Sequence, residues 1–192
     1  MAQKLQETET LGLIAGGGVF PLMVADAARG KGLRVVAVAH EGETDPLLAE
    51  KVDEIAWIKL GQLGHLIKVL KKAGVTKTVM AGTINKKKMF ENVRPDLRGL
   101  TLVSKLAIFH DDDILRAVAG ELQREGIHIV SSAEHLPELL APRGNLTRKK
   151  PNPSEREDVE FGWKIAKELG RLDIGQCVVV RKKTVLAMEA IE

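Results

Sequence analysis

Tyrosine is absent from this sequence, and only two Trp and four Phe bring the aromatic content to 3%. That leaves too few stacking platforms for a single-stranded nucleic-acid surface. A formal net charge of +3, from 29 Lys and Arg against 26 Asp and Glu, is too slight for a dedicated duplex binder, so no nucleic-acid partner is expected. The single cysteine, Cys177, excludes an intrachain disulfide and any multi-cysteine zinc site and fits a reducing cytoplasm. No apolar run reaches membrane-spanning length, and the polar start MAQKLQETET lacks a secretory pattern. Any membrane contact is therefore expected to be peripheral.

What is present is enough to fold. In 192 residues, 44% are hydrophobic, which supports a real core. Short apolar, largely β-branched runs at 11–18, 33–40, 53–60, 76–82 and 126–132 alternate with helical patterns in FPLMVADAARGKG, TDPLLAEKV, LGHLIKVLKKAG and DDDILRAVAGELQREG. Buried parallel strands with helices on both faces follow, an α/β fold. The alternation stops after residue 132. A proline-rich, basic stretch reads as a short helix and a linker, and then Ser154 and Glu157 form a capping box for a helix ended by Gly170. Two strands joined by a basic turn complete the chain. The expected organisation is a disordered tail over 1–10, an α/β domain over 11–136, a linker over 137–153 and a small α+β domain over 154–192. One helix and one hairpin make little core, so this second domain is expected to be incomplete or completed by a partner chain, with a homo-oligomer as one form of that completion.

Gly16, Gly17 and Gly18 sit between a strand and a helix whose first turn holds Pro21. Helix N–H groups there meet a backbone with no Cβ in the way, the arrangement of a phosphate cradle. A tight turn without a ligand is the plainer reading. A Walker loop needs Gly-Lys-Ser/Thr after the glycines, and a dinucleotide fingerprint needs glycine where Pro21 stands, although Glu41 after the second strand suits a ribose. On the cradle reading, a bulky β-branched residue at Gly17 is expected to abolish uridine-nucleotide binding and leave the fold intact.

Asp111, Asp112 and Asp113 open a helix. One or two of them serve as caps, and three adjacent carboxylates also suit Mg²⁺ beside a diphosphate or the polarisation of water. Thr83, Lys86, Arg94 and Arg98 follow the fourth strand and offer hydroxyl and cationic groups to an anion, whereas Lys87 and Lys88 suit a solvated face. Thr147, Arg148 and Lys149 lie in the linker, as a basic lid or as plain solubilising charge. His40, His65, His110, His128 and His135 show no metal-site spacing and receive no role. Cys177 reads as a small buried hydrophobe, and Trp57 and Trp163 as packing residues.

Taken together, LGLIAGGGVFP, RPDLRGL, DDDILRAV, LQREGIHIV, LLAPRGNLT and above all AKELGRLDIGQCVVV with VLAMEAIE resemble the UDP-2,3-diacylglucosamine pyrophosphatase family of the LpxI type, from residue 11 onward. The resemblance implies a Rossmann-like N-terminal half and a distinct C-terminal half. It also implies Mg²⁺-dependent hydrolysis of a nucleotide-linked glycolipid to UMP and 2,3-diacylglucosamine 1-phosphate in lipid A biosynthesis, in the cytoplasm with peripheral contact at the inner membrane. A nucleotide-binding module without hydrolysis is the alternative. By resemblance, Gly17 and Gly18 touch the nucleotide or its diphosphate, Thr83 sits at the sheet edge, Asp112 belongs to an acidic pair before a helix, and Thr147 and Gln176 bind substrate. Together with the residues read above, the expected site has Asp111 and Asp112 catalytic with Asp112 at the metal, and Gly16, Arg94 and Arg148 joining the substrate-binding residues. Relatives carry Gly-Asp-Asp where this chain has His110 to Asp113, and they continue past EAIE to an essential acidic residue, so the chain is expected to be C-terminally truncated and to bind without turnover.

Overall fold

The computed structural model describes residues 9–84, 94–104, 111–172 and 174–189, without the side chains of Val103, Asp111 and Asp112. Residues 1–8 of the expected tail, Lys86, Lys87, Lys88 and His110 lie outside the described residues, as does the chain end from 190. The chain divides into two compact units, 1–140 and 141–192.

In the first unit β1 (Thr10–Ala15), β2 (Arg34–His40), β3 (Glu54–Ile58), β4 (Lys77–Ala81) and β5 (His128–Ile129) form one parallel sheet in the order β3-β2-β1-β4-β5. β1 begins at Thr10, paired with Arg34, inside the stretch assigned to the tail. The period-two alternation of side chains sorts the strands onto two cores. Leu11, Leu13, Ala15, Val35, Ala37 and Val79 face α1 (Phe20–Gly30), while Ile14, Val36 and Val38 face α2 (Leu63–Lys72). β2 is buried from Val35 to His40 because both of its faces are covered, which is why its sequence reads as a continuous apolar run.

α3 (Leu97–Ser104) and α4 (Asp111–Arg124) lead to β5. Helix α3 lies outside the helical patterns read from the sequence. Its start is marked by Asp96, whose carboxylate accepts from the Gly99 amide at 2.9 Å and, across to α2, from the His65 amide at 3.1 Å. The expected helix over TDPLLAEKV is only a short 3₁₀ segment, Pro46–Glu50. β5 is two exposed residues rather than a buried strand, since it is the sheet edge and pairs only with the first half of β4.

The second unit opens with exposed chain from 141 and continues into α5 (Pro153–Arg171). The capping box lies two residues before the expected one: Asn152 accepts from the Glu155 amide at 2.9 Å, and Glu155 accepts from the Asn152 amide at 2.8 Å. Pro153 decides this, because its fixed φ and missing N–H suit the first helical position and push the cap back to Asn152. Gly170 does not end the helix, which runs on to Arg171.

β6 (Val178–Arg181) and β7 (Thr184–Met188) form the expected hairpin. Its turn places Lys182 and Lys183 at φ 49° and 56°, a left-handed pair that lysine adopts only against steric cost. Asp158 of α5 accepts from both turn amides, at 2.8 and 2.7 Å, and thereby holds the turn. Gly162 lets the helix close onto Val178 and Val180 of β6. Cys177 is exposed just before β6 rather than buried within a strand. Trp57 and Trp163 are not core residues either. Trp57 lies on edge strand β3, and Trp163, 63% exposed, stands on the outer side of α5 beneath the Lys167 ammonium.

Replacing Asn152 by Ala removes the reciprocal cap and is expected to destabilise α5 by about 1 kcal/mol. Hydrogen exchange of the first-turn α5 amides checks this, with Asn152→Ser expected to retain protection.

Candidate functional site at the glycine turn

β1 is followed in the chain by β2 on one side, while β4 lies on its other side, so the strand order reverses between β1 and β4. Open parallel sheets bind ligands at the carboxyl ends of the strands flanking such a point. Both of these strands end in glycine: Gly16 to Gly18 after β1 and Gly82 after β4.

The two turns grip each other through backbone alone. Gly16 donates to the Ala81 carbonyl at 2.8 Å, Gly17 donates to the Thr83 carbonyl at 2.7 Å, and Thr83 donates back to the Gly17 carbonyl at 3.1 Å. A methyl group built on Gly16 would stand 2.5 Å from the Thr83 carbonyl oxygen, and one on Gly82 would stand 2.5 Å from that of Gly17. Such approaches exclude any side chain. Gly16 and Gly17 are accordingly buried with their amides engaged, and a Cβ built on Gly17 stands 3.1 Å from the Glu43 carbonyl oxygen, so a bulky residue there is a test of the fold as well as of binding.

The ligand-facing part of the turn begins one residue later. Gly18 is exposed at φ 86°, and Val19, 65% exposed, precedes α1 without any side-chain cap. Among the described residues no carbonyl accepts from the amides of Gly18, Val19 or Phe20. These amides stand at the positive end of the helix dipole, in the manner of an anion site.

Of the residues singled out from sequence, the structure brings Gly16, Gly17, Gly18 and exposed Thr83 together. Arg94 is exposed beyond β3, with its amide bonded to the Leu60 carbonyl at 3.0 Å; β2 separates β3 from β1. Arg98, half exposed, points to an acidic partner. With Lys71 it pairs to Glu125, each at 2.6 Å, and these three line a cavity of about 490 Å³ along α2. Asp111 opens α4, which returns to the sheet through β5; the parallel topology therefore puts this helix start at the same sheet edge as the glycines. Thr147, Arg148 and Gln176 belong to the second unit. The Thr147 hydroxyl donates to the Lys149 carbonyl at 2.8 Å, and the Gln176 amide donates to Glu189 at 2.8 Å.

Sequence reasoning missed His40 and Thr44. His40 closes β2 and is 8% exposed, and its Nδ1 donates to the Ala15 carbonyl at 2.9 Å. Burial pushes its imidazole below the ordinary histidine value of 6.5, against smaller upward effects from the Ala15 hydrogen bond and from Glu43. Only the end of an apolar run marked this histidine in the sequence.

The fold and site define a parallel α/β domain, Rossmann-like in layout, with an anion-competent glycine turn at its switch point. The chain belongs to the LpxI family: residues 10–139 match the LpxI N-terminal domain and residues 142–192 the LpxI C-terminal domain. A curated relative, the UDP-2,3-diacylglucosamine pyrophosphatase LpxI of Caulobacter vibrioides, is 35% identical over 185 residues. The match covers 95% of this chain and 65% of that protein. Among solved structures, a nucleoside-diphosphate-sugar epimerase from Pseudomonas aeruginosa is 12% identical, with 85% of this chain and 47% of that one covered at a TM-score of 0.41. The Bordetella bronchiseptica enzyme WbmG in complex with NAD and UDP is 13% identical, with 63% and 36% covered at 0.40.

Gly16→Ala is expected to lower the urea midpoint far more than Gly18→Ala. The first drives carbon into backbone, while the second meets open space and bears only the left-handed φ, about 1 to 2 kcal/mol. Equal losses would show that the turn-to-turn contact is not the constraint.

The pH dependence follows from His40 and His135, both pushed down chiefly by burial. Because their folded-state pKa values are depressed, the unfolded chain binds protons first as pH falls below 6.5. The histidine contribution to stability is therefore fully present well above that value and is lost as pH drops from it through the folded values. The carboxylates Glu9 and Glu125, lowered from 4.5 by their cationic partners, add a second loss at lower pH. Urea midpoints measured against pH are expected to show two declines, and His40→Asn is expected to shrink the upper one.

Proposed function

We propose that this protein acts as a UDP-2,3-diacylglucosamine pyrophosphatase of lipid A biosynthesis. The observation that carries the reading is the 35% identity, over 95% of the chain, to a relative of that name. The glycine turn at the switch point supports it, since the substrate's diphosphate suits open amides at a helix start.

In this reading the Gly18, Val19 and Phe20 amides and the Thr83 hydroxyl hold the nucleotide diphosphate at the edge of the sheet. Arg94, Thr147, Arg148 and Gln176 are further substrate contacts. A water oxygen bonds to one phosphorus while the bridging P–O bond breaks, and the products are UMP and 2,3-diacylglucosamine 1-phosphate. Asp111 takes the proton from the water.

Among the described residues no three His, Cys, Asp or Glu side chains are grouped to hold a metal. Mg²⁺ commonly takes only one or two carboxylates and fills its shell with phosphate oxygens and water, which Asp112 at the helix start can serve. When bound, such an ion neutralises charge that builds on the diphosphate. Among the described residues no helix is long and apolar enough to cross a membrane. A cytoplasmic protein that meets its glycolipid at the inner membrane surface suits this substrate.

The test is release of UMP from UDP-2,3-diacylglucosamine with Mg²⁺ and with a chelator. Asp112→Asn is expected to weaken Mg²⁺-dependent binding of the glycolipid nucleotide roughly tenfold while sparing metal-free UMP binding. Equal effects with and without metal would reduce Asp112 to a helix cap. Nucleotide binding without any UMP release would leave a binding module in place of an enzyme.

A further inference from the structure

The last peptide of β1, which joins Ala15 to Gly16, is held from both sides. Its N–H, on Gly16, donates to the Ala81 carbonyl of β4 at 2.8 Å. Its carbonyl, on Ala15, accepts from His40 Nδ1 at 2.9 Å and from the Thr44 hydroxyl at 2.7 Å. The amides where β2 ends are engaged elsewhere: Glu41 donates to Ile58 in β3 at 2.9 Å, and His40 donates to Thr44 Oγ1 at 2.9 Å. Side chains thus replace the sheet ladder at the point where β1 becomes the glycine turn. Both are nearly inaccessible, His40 at 8% and Thr44 at 5% exposure. The Thr44 hydroxyl works in both directions, accepting from the His40 amide and donating to the Ala15 carbonyl. The trans peptide leaves little freedom downstream, because Gly17 is then fixed by its two bonds to Thr83 and only Gly18 turns outward.

We propose that His40 and Thr44 are positioning residues of the nucleotide cradle, which fix the Ala15–Gly16 peptide and through it the direction of the open amides at Gly18 to Phe20. The proposal rests on the reading of this turn as a nucleotide site. Neither residue needs to touch the ligand. Their chemistry is particular, however: what is required at position 40 is a donor where Nδ1 stands, and at position 44 a hydroxyl that both donates and accepts. Asparagine supplies a comparable donor and leucine does not; serine retains the hydroxyl and valine, of similar shape, lacks it.

The experiment measures two quantities on His40→Asn, His40→Leu, Thr44→Ser and Thr44→Val in the full chain. The first needs no ligand: exchange of the Gly16 and Gly17 amides, followed by NMR, is expected to speed up about tenfold in the Leu and Val variants and to stay near wild type in the Asn and Ser variants. The second is UMP affinity by calorimetry, expected to fall about tenfold in the Leu and Val variants while Asn and Ser stay within about threefold. If His40→Leu does not fold, the Thr44 pair alone decides. Unchanged exchange in Thr44→Val would overturn the positioning role. Faster exchange with unchanged UMP affinity would overturn its link to the cradle. Faster exchange in a protein whose wild type binds no uridine nucleotide would instead sink the nucleotide reading and leave the peptide clamp standing.

Discussion

The architecture of the first unit depends on a contact between two stretches of bare backbone. Where β1 and β4 end side by side, Gly16 approaches Thr83 and Gly82 approaches Gly17 at distances no side chain tolerates, and the contact is closed by hydrogen bonds in both directions. Three consequences follow. The two strands flanking the switch point are locked together beyond their regular ladder. The turn has no room to relax inward, so its next residue, Gly18, must turn out with a positive φ. Helix α1 then starts at the sheet edge with its first amides open, and Pro21, already lacking an N–H, adds no orphan donor. The glycines are needed for fold first, and the candidate site is what that packing leaves exposed.

Much of this was legible in the sequence, and the limits have physical causes. β-branched runs located the core strands because a parallel sheet buries both faces, and Pro21 marked the α1 start. The glycine run declared a close backbone approach without declaring to what. Glycine at a turn permits approach by a ligand or by another turn equally, and the partner, Gly82, lies more than sixty residues away in sequence. The Ser154 box failed against Asn152 for a local reason, since two overlapping patterns of cap and acid competed and Pro153 chose between them. Trp57 and Trp163 failed for a different reason: an apolar pattern assigns a residue to a face but does not say whether that face is covered. His40 was invisible because its role lies in the Ala15 carbonyl, a backbone group of another strand.

Charge is also unevenly divided. Residues 141–192 carry 11 Lys and Arg against 8 Asp and Glu, and residues 1–140 carry 18 of each. The net positive charge of the chain therefore resides in the second unit, while the glycine turn belongs to a unit of no net charge. Of the cations offered to an anion from the first unit, Lys86 lies outside the described residues, Arg98 pairs with Glu125 and Arg94 lies beyond β3. Among the described residues of the first unit, what the turn itself offers an anion is the fixed dipoles of its open amides.

Dipoles and ionised side chains hold an anion differently. A lysine or arginine attracts phosphate over a Debye length and is screened by salt, whereas peptide N–H groups act only at hydrogen-bond range and only when aimed. Aim becomes the quantity on which binding depends, which explains why a turn with so few polar side chains is surrounded by so much hydrogen bonding behind it. The amides themselves do not titrate. A pH dependence of binding on this edge can arise from the terminal phosphate of UMP, with a second pKa of about 6, from the carboxylates Asp111 and Asp112 assigned to the same edge, or from His40, which sits behind the turn and carries its proton on the atom that holds Ala15. A neutral imidazole and an imidazolium both donate from Nδ1, so the clamp survives protonation of the ring even as burial makes that protonation costly. The same side chain can therefore leave the geometry of the turn unchanged across the pH range in which the stability of the fold declines.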